Sequence, residues 1–223
     1  MSRRMWIPLG AAILVVNAVQ WVVAEAITAA AWTSPPYNYA RNYISDLGVP
    51  DCGARFQGRD ICSPDHALMN TSFMLEGILF ATGVLLLAQL VEGRARRAVI
   101  ALAVAHGVGM VLVGLFHGSG SGPSLGLAAH VGGAGVGILC ANALVILAGS
   151  LRGLGLPSAY RVFSVTVGVL GLVSVALVCV SESVAGVFER GSVYSWLLWS
   201  TVTGGLVLAR YVRRPALVEN VSA

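Results

Sequence analysis

Six long apolar stretches follow one another along the chain, and polar residues are concentrated between them. A helix needs about 20 predominantly apolar residues to cross a bilayer. Backbone polar groups in lipid must also be hydrogen-bonded within the membrane-spanning structure, and a helix achieves this within one segment. The pattern therefore predicts an all-α polytopic membrane protein, a bundle of six transmembrane helices. The predicted helices are residues 6–31, 66–90, 98–117, 125–149, 162–181 and 193–210.

Composition supports this class and argues against a soluble one. Of the 223 residues, 57% are hydrophobic and 11% are charged, and the mean hydropathy is +0.80. Soluble domains carry roughly 25% charged residues. The helices use up most of the length, so we predict one transmembrane domain over residues 1–223, with a single sizeable outer loop at residues 32–65. This leaves no room for a separate soluble catalytic domain.

The basic residues, all of them arginine, define an orientation. Most lie on the side of the bundle where both termini would be, which the positive-inside rule makes cytoplasmic. We therefore predict a multi-pass plasma-membrane protein with both termini in the cytoplasm. The net charge of +4 could suggest nucleic-acid binding, but arginines at helix ends do not form the basic face that such binding needs. The arginines on the predicted cytoplasmic side are Arg3, Arg4, Arg94, Arg96, Arg97, Arg152, Arg161, Arg210, Arg213 and Arg214.

Two cysteines, Cys52 and Cys62, lie in the predicted outer loop. An oxidising compartment allows such thiols to pair, so we predict a disulfide between them. Two free thiols, or half of a metal site, are the alternatives.

Small residues predict how the helices pack. Gly133 and Gly137 in the fourth apolar stretch have the four-residue spacing that lets helix backbones approach closely in a membrane. We therefore expect this helix to pack tightly against a neighbour through these glycines.

Polar and ionisable residues within the predicted spans gather toward the outer side. Ionisable groups in a membrane are costly, so they are functional candidates by default. Helical geometry would bring these groups toward one outward-facing polar pocket, covered by the segment 43–48, which supplies Ser45 and Asp46. The other candidates for this pocket are Glu25, His66, Asn70, Glu76, His117, His130, Glu189 and Arg190.

Several chemistries could be built from these residues. His66, His117 and His130, with a carboxylate such as Asp46, could hold zinc and leave a position open for hydrolysis. The spacing of the histidines matches no zinc motif. Ser45 or Ser181 could act as a nucleophile with a histidine base, but no nucleophile-elbow motif is present. Two haems would need pairs of histidines at both leaflets. Of the four histidines, His66, His117 and His130 are on the outer side and His106 is near mid-membrane, so haem is disfavoured.

Short motifs along the chain resemble a known family. The run Asn42-Tyr-Ile-Ser-Asp-Leu-Gly48, together with Asn70, His130 and Phe188-Glu-Arg190, resembles the prokaryotic membrane family called domain of unknown function 998. The run 43–48 is also distantly similar to the DRAM/Sfk-type six-helix membrane proteins, which are associated with phospholipid regulation. The first resemblance implies six helices and membrane residence, whereas the second adds an expectation of lipid handling. The family pattern usually has proline where this chain has His117.

These observations lead to one hypothesis and two alternatives. The hypothesis is a protein that binds or handles a lipid or lipid-linked headgroup, in which Asn70, Glu189 and Arg190 contact the ligand and His130 and Asp46 act as acid, base or polar ligands. Arg190 would meet a phosphate, which suits guanidinium geometry. The alternatives are an outward-facing metal-dependent hydrolase and a non-catalytic accessory subunit. The expected partners are membrane lipid and either a second copy or another membrane protein; whether the chain is an enzyme stays open.

Overall fold

The computed structural model describes residues 3–56, 58–118, 124–151, 156–181 and 183–219, and within these ranges six helices are long and apolar enough to cross a membrane. The predicted all-α bundle of six transmembrane helices is confirmed. The helices are α1 Arg3–Ala31, α2 His66–Leu87, α3 Gly93–Leu115, α4 Leu125–Ser150, α5 Ser158–Val178 and α6 Ala185–Glu219.

The helices form a closed ring in chain order. Each helix contacts the next one along the chain, and α6 returns to contact α1. Short connections between antiparallel neighbours favour this arrangement. One end of the bundle carries the long loop 32–65 and is called the loop end below. The opposite end, where α1 begins and the α2–α3 and α4–α5 connections lie, is called the arginine end.

The loop has local structure that the apolar pattern did not predict. A single 3₁₀ turn, Ser45–Gly48, lies against α2, and a small antiparallel hairpin pairs β1 Ala54–Phe56 with β2 Arg59–Ile61. The predicted disulfide is present, because Cys52 and Cys62 are joined just outside the two strands. It closes the base of the hairpin and ties it to the segment that enters α2.

Four predicted helix starts were too late, and those of α6 and α3 were the furthest off. Helix α6 begins at Ala185 rather than at residue 193. Glu189 and Arg190 lie inside the helix, where Glu189 accepts a hydrogen bond from the Ile44 N–H and Arg190 pairs with Glu25. Helix α3 begins at Gly93 rather than at residue 98, since its first turns carry arginines beyond the apolar core of the span. A charged residue therefore marked the end of the apolar pattern but not the end of the helix.

The close glycine packing predicted for the fourth span is confirmed. A Cβ atom added to Gly133 would lie 2.7 Å from the carbonyl oxygen of Gly109 on α3, and one added to Gly109 would lie 2.8 Å from the backbone nitrogen of Gly137. Real Cβ atoms do not approach so closely, so α3 and α4 meet backbone to backbone at this point.

Candidate functional site

At the loop end, Asp46 is the centre of a buried polar cluster. Its carboxylate accepts hydrogen bonds from Arg59 Nε at 2.8 Å, from the Tyr43 backbone N–H at 3.0 Å and from Asn42 Nδ2 at 3.3 Å. The Arg59 guanidinium also lies over the Tyr43 ring, 4.1 Å from its centroid. Burial alone would lower the pKa of Arg59, but the hydrogen bond and the charge of Asp46 raise it above its usual value. Asp46 thus joins the hairpin to the 3₁₀ turn.

Arg190 is the centre of a second buried cluster, which joins the loop to the helices. Its Nε donates to Glu25 of α1 at 2.9 Å, and its Nη1 donates to the backbone carbonyls of Tyr39, Asn42 and Gly186. Its Nη2 donates to the Tyr37 hydroxyl. Burial raises the pKa of Tyr37 well above its usual value, although the charge of Arg190 opposes the shift. Every nitrogen of the Arg190 guanidinium therefore already has an acceptor within the chain.

The remaining loop-end candidates are also engaged in internal contacts. Glu189 accepts a hydrogen bond from the Ile44 backbone N–H. Asn70 Nδ2 donates to the Gly48 carbonyl at 2.8 Å, and a Cβ atom at Gly48 would collide with the same amide. Ser45 and Glu189 line a small cavity of about 30 Å³, which has room for water but not for a lipid headgroup.

The three histidines proposed as metal ligands differ in their hydrogen-bond contacts. His130 Nδ1 faces the carbonyls of Val113 and Phe116 at the end of α3, at 3.2 and 2.6 Å. His66 Nδ1 faces the Ser63 carbonyl, whereas His117 Nδ1 is buried and has no hydrogen-bond partner among the described residues. Among the described residues, which include all three, no group of three or more His, Cys, Asp or Glu side chains is arranged to hold a metal ion.

At mid-depth in the bundle, Glu76 and His106 form a fully buried pair. His106 Nε2 lies 3.0 Å from Glu76 Oε2, while Trp196 Nε1 and Asn17 Nδ2 donate to Glu76 Oε1 at 3.0 and 3.2 Å. His106 Nδ1 lies 2.9 Å from the Gly137 carbonyl, so that nitrogen carries a proton. The contacts of this pair join five of the six helices.

A partly open cavity of about 170 Å³ lies at the arginine end, opposite the predicted pocket. It lies between the helix ends that were predicted to be cytoplasmic, and we call it the arginine-end cavity. Its lining is mostly apolar. The lining residues are Ile7, Val84, Leu87, Ala88, Leu90, Val91, Val99, Leu144, Ala148, Leu151, Leu156, Tyr160, Trp199, Thr203, Val207, Arg210 and Tyr211.

Comparison with known proteins identifies the family. A family model described as "Protein of unknown function (DUF998)" matches residues 15–205. The chain belongs to this family. Neither the comparison with curated proteins nor the comparison with solved structures found a match.

In this DUF998 chain, the matched range contains both loop-end clusters and most of the arginine-end cavity. The motif Asn42–Gly48, which carried the resemblance, forms the 3₁₀ turn and the contacts of Asp46. Its residues dock the loop onto α2 and α6, since Gly48 contacts Asn70 and Ile44 contacts Glu189. Arg210 and Tyr211, at the mouth of the cavity, lie beyond the matched range.

Two important features were missed in the sequence. The sequence placed His106 near mid-membrane but assigned it no role at the site, although it is fully buried beside Glu76. The arginine-end cavity had no signal in the sequence, because ordinary Leu, Val and Ala residues line most of it. Tyr160, Thr203 and Trp199 carry polar side-chain groups without a charge, and these three were too few to indicate a cavity.

Proposed function

We propose that this DUF998 protein binds an anionic membrane lipid, with an acyl chain in the arginine-end cavity and the headgroup at the arginine-rich rim. The observation that carries the proposal is the cavity itself, about 170 Å³ in volume, apolar along its walls and edged by Arg210. Ligand sites typically combine apolar walls with a few placed polar groups. An acyl chain matches the walls, and a phosphate matches the guanidinium.

The rim adds positive charge where a headgroup would lie. Arg210 is exposed and follows the cavity-lining Val207 by three residues, so both lie on one face of α6. Arg96 is exposed and precedes the cavity-lining Val99 by three residues on α3. Neither arginine forms an ion pair with a carboxylate in the described part of the chain. Their charges are therefore available to a ligand.

The contacts of the loop-end residues support lipid binding less than the arginine-end cavity does. A phosphate at Arg190 would have to displace Glu25, Tyr37 or backbone carbonyls that already accept its hydrogen bonds. Removing one partner of a buried charge pair costs several kcal/mol. Lipid recognition at the loop end and metal-dependent hydrolysis both stay predictions from the sequence, and no contact among the described residues favours either one.

Filling the cavity tests the proposal. Ala148 is buried and lines the cavity, so Ala148→Phe places a ring in the space where the chain would lie. Ala101→Phe is the matched control, because Ala101 is exposed on the membrane-facing side of α3. Native mass spectrometry in mild detergent with added phosphatidylglycerol should show lipid adducts on the wild type and on Ala101→Phe, but not on a folded Ala148→Phe. Equal adducts on all three proteins would contradict cavity binding.

The rim is tested separately by headgroup preference. One arginine near a membrane surface contributes about 1 kcal/mol toward an anionic headgroup, which corresponds to roughly fivefold in binding. Arg210→Gln should therefore lower the preference for phosphatidylglycerol over phosphatidylcholine by about that factor. Arg41→Gln, an exposed arginine at the loop end, should leave the preference unchanged. If Arg210→Gln keeps the wild-type preference for phosphatidylglycerol, the headgroup does not bind at the rim.

A further inference from the structure

Four buried aromatic side chains form a layer across the bundle at mid-depth, where the arginine-end cavity ends. Phe80 of α2 packs against the His106 imidazole of α3, with ring centroids 4.4 Å apart, and against Trp199 of α6 at 6.3 Å. His106 in turn packs against Trp196 of α6 at 5.3 Å. Trp199 lines the arginine-end cavity, whereas Trp196 lines the small cavity at the loop end. The aromatic layer therefore separates the two cavities.

Contacts on two sides hold Trp199 in this layer. On one side lies Phe80, which is fully buried between Trp199 and His106. On the other side, the Trp199 and Ser164 side chains hydrogen-bond the Tyr160 hydroxyl, which also contacts Thr203 Oγ1 at 3.0 Å. Side chains in well-packed interiors sit in defined rotamers with few voids around them. The Trp199 indole is therefore a fixed wall at the deep end of the cavity.

This wall gives the cavity a defined length. Trp199 precedes Arg210 by eleven residues, or about 16 Å along the axis of α6. One leaflet contributes about 15 Å to the hydrocarbon core of a bilayer, so the cavity extends from the rim to about the middle of the membrane. Extended chains of single bonds advance roughly 1.2 Å per bond, as the extended polypeptide backbone does. A straight acyl chain of about 13 bonds therefore spans the distance from the rim to Trp199.

We infer that Trp199 limits the length of the acyl chain that the cavity accepts, so that the protein selects lipids with lauroyl-length chains over stearoyl-length chains. The inference rests on the proposed function and specifies its ligand by chain length. A lauroyl chain ends before the indole, and the long Arg210 side chain extends toward water, which leaves room for glycerol and phosphate. A stearoyl chain meets the indole before its phosphate reaches Arg210, so it loses the headgroup contact.

Two phosphatidylglycerols that differ only in chain length provide the test. The full-length protein in mild detergent is given equal amounts of the dilauroyl and distearoyl lipids, and native mass spectrometry measures the ratio bound. The headgroup contact that the longer lipid loses contributes roughly fivefold in binding, so the wild type should bind the dilauroyl lipid about fivefold more. Trp199→Ala removes the wall and should bring the ratio toward one. Trp199→Leu, which keeps more of the packing, should lower the ratio partway.

Trp21→Ala is the control, since it removes a similarly buried indole that lies outside this cavity, and it should keep the wild-type ratio. A wild-type ratio of one, with binding still abolished by Ala148→Phe, would overturn the chain-length limit and leave the proposed function standing. A dilauroyl preference that is unchanged in folded Trp199→Leu would also overturn the limit. Lipid binding that is insensitive to Ala148→Phe would overturn the proposed function and this inference together.

Discussion

Arg59 and Arg190 are buried at the loop end, and each is paired with a carboxylate. Arg59 also lies over the Tyr43 ring, and Arg190 also donates to backbone carbonyls. Buried charges are tolerated when they are paired and hydrogen-bonded. Arg190 and Glu25 are 165 residues apart, whereas Arg59 and Asp46 both lie in the outer loop. We therefore interpret the contacts of Arg190 as docking the loop onto the bundle, and the Asp46–Arg59 pair as holding the loop itself together.

The Asp46–Arg59 pair yields a stability prediction. Removing one partner of a buried ion pair costs about 3–5 kcal/mol, whereas an exposed pair contributes about 0–1 kcal/mol. The Arg59 and Asp46 side chains are 6% and 4% exposed, and those of Arg55 and Asp60 are 73% and 55% exposed. Arg59→Gln should therefore lower the midpoint of detergent-induced unfolding strongly, and Arg55→Gln in the same hairpin should barely change it. Equal effects would show that burial of the Asp46 pair does not matter.

Residue-scale chemistry was only partly predictable from the sequence. Glu25, Asp46, Glu76 and Arg190 were identifiable because charged groups within or beside apolar spans are conspicuous. The sequence allowed Glu25 or Glu76 to pair with Arg41 or Arg190, and the Glu25–Arg190 pair is present. It could not decide among these pairs, because periodicity assigns a residue to a helix face but does not specify which helix lies opposite. Arg190 could thus be assigned to a phosphate, although in the fold it contacts Glu25 and three backbone carbonyls.

At the scale of elements, close backbone contact holds α3 against α4. The glycines at this contact leave no room for a methyl group, because Gly133 faces the Gly109 carbonyl. Lipid gives helices no hydrophobic reason to associate, so tight packing and hydrogen bonds must hold them together. The spacing of Gly133 and Gly137 predicted this contact, since small residues at that spacing have few other uses in a membrane helix.

Two adjacent glycines test the α3–α4 contact. Gly133→Ala should destabilise the bundle by about 1–3 kcal/mol, the usual cost of overpacking. Gly132→Ala should be neutral or slightly stabilising, because a Cβ atom there meets nothing within 4 Å and alanine favours helices. Unfolding in detergent, followed by circular dichroism, measures both variants. Equal stabilities for the two would contradict the backbone contact.

At the scale of the whole molecule, the two ends of the bundle differ in character. The loop end is closed by ion pairs, a hairpin and a disulfide. The arginine end contains an apolar cavity with a charged rim. The sequence predicted the six helices because their length and hydropathy are strong signals. It could not predict the cavity, since a void depends on how six helices pack and not on any residue type that lines it.

The central claim is that a lipid chain enters the arginine-end cavity, and photo-crosslinking tests it most directly. The full-length protein is reconstituted with phosphatidylglycerol that carries a photoreactive group in its acyl chain, and crosslinked residues are mapped by peptide mass spectrometry. Our account predicts crosslinks at the buried cavity residues Leu144, Ala148 and Val207, and their loss in Ala148→Phe. Crosslinks confined to exposed, membrane-facing residues such as Val104, Val108 and Leu139 would contradict it.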